Sequence, residues 1–218
     1  MPRMSDTSVR AAYLHAAGVA QSVIASPAVA ESWNQPSCLH GMSVGELAGH
    51  LARSVLQVEW FLDEPIVGGP LTDAVEYYAR LAGTDDPGSP LNVGVRARSA
   101  ETAAVGHAHV IQDVADGLAR LTTRLDTEPT DRRVGIRHQP GEEMLLDEYL
   151  RTRCVELVVH TDDLAISVGR PTSDGSPAAT GIAVDVLTAA ARRRHGDHAV
   201  LTALTRRERD ESDAGRVL

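Results

Sequence analysis

Lysine is absent from this sequence and aromatic residues are scarce, with one Phe, two Trp and four Tyr among 218 residues. With so few large rings, Ala, Val and Leu must fill the core, which suits close-packed helices better than a β-sandwich. Every fixed positive charge is therefore an arginine, and the 21 of them are outnumbered by 30 acidic residues, leaving a net charge of -9. Such a chain has no net field to draw in nucleic acid or an anionic membrane surface. No run approaches the roughly 20 apolar residues that span a bilayer, and Met1 to Ala12 lacks the apolar core of a signal peptide. The expectation is a cytoplasmic protein. Two cysteines, Cys38 and Cys154, are too few for a disulfide scaffold or a four-thiolate zinc site.

What is present is ordinary globular material, 43% hydrophobic and 23% charged, enough to bury a core. Ser5 or Asp6 is placed to cap a first helix that runs to about Ser26 and stops at Pro27, followed by a loop from Ala28 to Met42. Ser43-Val44-Gly45-Glu46 is a capping box, so a second helix starts at Ser43. It runs to about Glu64, with Val44, Leu47, Leu51, Val55, Val58 and Leu62 on one apolar stripe. A short helix is expected over 72–82, a loop over 83–90, a third long helix over 91–125 and an extended segment over 132–139. A fourth helix is expected from Glu142 to about Val168, closed by Gly169. The pattern predicts an all-α four-helix bundle over 1–170, with 171–218 a helical extension packed on it.

The fourth helix is apolar nearly all round. Its polar residues, Tyr149, Thr152, Arg153, Glu156, His160, Asp163 and Ser167, fall on one stripe. That stripe is either a solvent-facing edge or the lining of a polar cavity. Glu156 and His160, spaced i, i+4, point to the same spot and are able to share one ion. His50, at the flank of the second helix's apolar stripe, is a third candidate. Two imidazoles and one carboxylate form the set that holds catalytic zinc with one position open. Other histidines fit less well: His107 and His109 face apart, and His195 and His198 flank Gly196 beside Arg192, Arg193 and Arg194. Cys154 lies about 160° around the helix from Glu156 and reads as packing.

Two stretches, WNQPSCLHGMSVGELAGHL (Trp33 to Leu51) and YLRTRCVELVVHTDDLAISV (Tyr149 to Val168), resemble the N-terminal domain family of mycothiol-dependent maleylpyruvate isomerases, within the DinB-like superfamily. The resemblance implies a DinB-like four-helix bundle with one divalent metal, usually zinc, held by His50, Glu156 and His160. Asp163, in the family's H-x-x-D pattern, would support the site from behind. It further implies mycothiol as cosubstrate and a small electrophile as substrate, with transfer or isomerisation as the outcome; a homodimer is compatible with such bundles. The characterised isomerases carry a sizeable second domain, for which the 48 residues after Arg170 are too few. That departure favours thiol transfer over isomerisation of maleylpyruvate. Two other readings stay open at this point: a hydrolase activating water at the same site, and a non-catalytic helical binding or assembly module.

Overall fold

The computed structural model describes residues 8–81, 86–136, 141–171, 175–206, 214, 215 and 217. Helix α1 (Val9–Ile24) is capped by Ser8, whose side chain accepts from the Ala11 amide; Ser5 and Asp6, expected in that role, lie outside the described residues. Pro27 does not merely end α1. It occupies the first turn of a short helix α2 (Pro27–Glu31), where its missing amide costs nothing, so the expected loop begins later.

Helix α3 (Val44–Asp63) starts at the predicted capping box, with the Ser43 hydroxyl accepting from the Glu46 amide and the Glu46 carboxylate accepting from the Ser43 amide. All six residues of its predicted stripe are buried. Each such side chain contributes roughly 2 kcal/mol relative to exposure. After β1 (Leu71–Thr72) and the seven-residue α4 (Ala74–Arg80), the expected third long helix is two helices, α5 (Pro90–Ala103) and α6 (His107–Thr127). Gly106 separates them. Its φ of 87° is incompatible with a continuing right-handed helix, and it becomes the N-cap of α6.

The fourth expected helix starts four residues late. Glu143–Leu145 is a strand, β3, and helix α7 runs from Leu146 to Ser167. Strand β2 (Arg133–Gly135) lies in the predicted extended segment, of which residues 137–139 are outside the described ones. It pairs antiparallel with β3, which pairs parallel with β1, giving a small sheet in the order β1-β3-β2. Glu143 is the reason this segment is not helical: its buried carboxylate accepts from the Val67 and Gly68 amides at 2.9 and 2.8 Å and pairs with Arg133. These contacts tie three separate segments together.

The protein is thus mostly helical with one minor sheet. Helices α1, α3, α6 and α7 pack against one another, α5 lies along α3, and α8 (Pro177–His195) packs on α7, α4 and α1, followed by α9 (Asp197–Thr205). The core joins residues from α1, α3, α4, α6, α7 and α8. Gly49 lets α5 approach α3: a Cβ there would lie 2.6 Å from the Ser99 carbonyl oxygen. Among the described residues, no helix is long and apolar enough to cross a membrane.

Candidate metal centre

The capping box fixes the start of α3 and hence its rotation, which puts His50 at the border of the buried stripe, facing α7. Helix α7 is buried on most of its circumference, so its polar stripe can only look into the interior or into a cleft. The two helices pack side by side. His50 Nε2 and His160 Nε2 each lie 3.5 Å from Glu156 Oε2, and the two imidazole centroids are 4.5 Å apart. One donor atom from each of the three residues falls within 4.8 Å of the others. Two imidazole nitrogens and a carboxylate oxygen around one point form a donor set that suits a borderline divalent cation such as zinc.

The surrounding contacts orient these donors. His160 Nδ1 donates to Asp163 Oδ2 at 2.9 Å, which turns Nε2 toward Glu156. The Tyr78 hydroxyl is 2.9 Å from Glu156 Oε1 and 3.2 Å from the Thr152 carbonyl oxygen. With Oε1 held, Oε2 is the oxygen presented to both histidines. Burial alone would raise the Glu156 carboxyl, but hydrogen bonds from His160 and His50 and the charge of Arg153 hold it well below the usual carboxylate range. Burial lowers His50. Burial acts in the same direction on His160, yet Asp163 and Glu156 outweigh it and push the imidazole up to about 9. These contacts favour an ionised Glu156, a neutral His50 and a protonated His160.

The cluster lies in the wall of a cleft of about 780 Å³, bounded by α3, α5, α7 and Tyr77 of α4. The lining carries four arginines, Arg53, Arg96, Arg98 and Arg153, against two carboxylates, Glu156 and Asp163. This is the reverse of the chain's overall charge. Arg53 stacks on Trp60 at 5.2 Å, and Arg96 donates to the Pro87 carbonyl. Arg153 differs from the others in being buried. Its guanidinium lies over the Tyr149 ring at 5.0 Å and its Nε donates to Thr152 Oγ1 at 3.1 Å. Among the described residues no carboxylate is in direct contact with it; Glu156 acts on it through charge at longer range. The hydroxyl of buried Tyr149 beside it has no hydrogen-bond partner.

The structure thus brings His50, Glu156 and His160 together and sets Asp163 behind His160. The polar stripe of α7 lines a cavity over this stretch. Tyr77 and Tyr78 were not among the residues singled out in the sequence; the one available signal was a pair of adjacent tyrosines on a short helix in a chain with only four. His107 Nε2 donates to the Ile24 carbonyl oxygen at 2.7 Å, and its ring meets Trp33 edge-on, away from the cluster. Cys154 is fully buried, and burial pushes its thiol up to about 12. Cys38 is exposed, its Sγ 3.3 Å from the Asp163 carbonyl oxygen.

Fold and geometry together define a helical protein with a two-histidine, one-carboxylate cluster opening on an arginine-lined cleft. The mycothiol maleylpyruvate isomerase N-terminal domain family matches residues 14–165, and the chain belongs to that family. No curated protein and no solved structure matches it. The matched stretch runs from within α1 to nearly the end of α7 and therefore covers all three clustered residues; α8 and α9 lie beyond it.

Proposed function

We propose that the protein is a metal-dependent enzyme that uses a low-molecular-weight thiol, mycothiol, as nucleophile toward a small electrophile, with zinc held by His50, Glu156 and His160. The observation that carries this reading is the convergence of the three donor atoms on one point beside the cleft. Family membership supplies the thiol. Zinc in such a site lowers the pKa of a thiol at its open position and so provides a nucleophile near neutral pH. Asp163 keeps His160 in the tautomer that offers Nε2, and Tyr78 keeps one oxygen of Glu156 turned to the site. On the same reading α1, α3, α6 and α7 are the four helices of a DinB-like bundle, and the residues after 170 are a helical extension of it.

Arg153 indicates what the electrophile carries. A buried guanidinium stays charged, and leaving it without a direct counter-ion is costly unless a ligand supplies one. A carboxylate on the electrophile would meet Arg153, which would leave its reactive carbon on the side of His50, Glu156 and His160. Retention of the thiol on the product gives transfer; its return gives isomerisation. The test is turnover of a carboxylate-bearing electrophile by the zinc-loaded protein, with and without thiol. Thiol-dependent turnover that disappears in His160→Ala is the expected result. Turnover independent of thiol would point instead to water activation, and a zinc-loaded protein that neither binds nor consumes a thiol would contradict the reading.

A further inference from the structure

We infer that Arg194 of α8, outside the residues that the family match covers, is a positioning residue for the metal centre, acting through Tyr78 on Glu156. The inference rests on the metal reading above and adds a part of the chain that the reading does not use. Helix α4 has only seven residues, too few to be stable alone. Its N-terminus is tied down by the Asp73 cap on the Glu76 amide and by Glu148, which accepts from the Ala74 amide. Its C-terminal carbonyls, of which that of Tyr78 also accepts from the Leu81 amide at the C-cap, are held from α8. Arg194 Nη2 donates to the Tyr78 and Leu81 carbonyls at 2.6 and 2.7 Å, and Nε donates to that of Ala79 at 3.3 Å. The neighbouring Arg193 pairs with Glu76.

Tyr78 is engaged at both ends, its carbonyl by Arg194 and its hydroxyl at Glu156 Oε1. The contact therefore runs from α8 to a ligand carboxylate in two steps. Without Arg194 the Ala79 and Leu81 carbonyls lose the donor it supplies, the Tyr78 carbonyl keeps only the Leu81 amide, and the last turn of α4 loosens. Tyr78 then no longer fixes which oxygen of Glu156 faces the two histidines. The same turn carries Tyr77 and Leu81 into the lining of the cleft. Helix α8 is on this account a working part of the site.

The test measures zinc affinity by chelator competition and the absorption bands of the cobalt(II)-substituted protein, both on the full chain and both independent of turnover. Tyr78→Phe should weaken zinc binding about tenfold, the usual size for loss of a contact to a ligand. Arg194→Ala should weaken it by about threefold or more and shift the cobalt bands. The double variant should bind no worse than Tyr78→Phe alone, because both changes act through one contact. Arg194→Lys, a single-point donor that cannot serve three carbonyls, should fall between wild type and Arg194→Ala, and it carries the comparison if Arg194→Ala fails to fold by circular dichroism. Wild-type zinc affinity and cobalt spectrum in a folded Arg194 variant, or additive losses in the double variant, would overturn the inference. A wild-type chain that takes up no metal overturns the metal reading as well, and is distinguishable from a chain that binds zinc regardless of residue 194.

Discussion

Helices α3 and α7, which carry the three clustered residues, hold themselves in place, whereas α4 and α5, which close the cleft around them, are held by others. Helix α3 has 20 residues, a capping box and twelve buried positions, and α7 has 22 residues with ten buried. Helix α5 buries only Ser99 and Ala103 fully and depends on the absent side chain of Gly49 to lie close to α3. Helix α4 depends on arginines of α8. The difference teaches that the three clustered donors are built into rigid elements, while the other side of the cleft is closed by elements with little stability of their own, which is where local adjustment costs least.

Three experiments would break or sharpen that contrast. The largest effect is expected in α3, where Leu51→Ala, in a fully buried position, should cost about 2–5 kcal/mol in urea unfolding. Leu91→Ala, half-buried on α5, should cost about 1 kcal/mol or less, as partial burial removes less area from water. Equal losses at the two positions would show that α5 is as firmly built as α3.

Next is Arg153→Met, read against a carboxylate-bearing and a neutral electrophile. With the acidic substrate kcat/KM should fall about tenfold or more, the usual loss for a charge-assisted contact, while the neutral one changes little. Stability should be unchanged or raised, because a buried charge without a direct counter-ion is replaced by an apolar side chain of similar length. A large drop in stability would make Arg153 a structural residue of α7.

The last effect concerns protons. His160 in the metal-free protein is raised to about 9, so near pH 7 it holds a proton that an incoming ion must displace. Apparent zinc affinity should therefore fall as pH is lowered below about 9, by up to tenfold per unit for one displaced proton. Isothermal titration in buffers of different ionisation enthalpy would count the proton. Affinity that is flat between pH 6 and 8 would show that His160 does not carry the proton the contacts with Asp163 and Glu156 favour.

The same division separates what was legible in the sequence from what was not. Periodicity and the Ser43 capping box located α3 and its stripe because a long amphipathic helix repeats its signal over several turns. The spacing of Glu156 and His160, and the family motifs around them, pointed to residues that the structure sets beside His50. The break at Gly106 was missed because the flanking residues continue a helical pattern and only the backbone at that one glycine departs from it. Strand β3 was missed for a different reason: Glu143 is buried against the amides of residues 76 and 75 positions earlier, and no local pattern announces such a partner. Tyr78, Arg194 and the cleft depend on contacts between distant segments, which a single sequence does not display.

The measurement closest to the central claim is metal content by elemental analysis, made on the purified full chain after equilibration with zinc and desalting, in parallel with Glu156→Gln. Three donors converging from α3 and α7 predict about one zinc per chain in the wild type and a folded variant that retains little or none. A folded wild-type chain that emerges without zinc, or a Glu156→Gln chain that keeps it in full, would contradict the account.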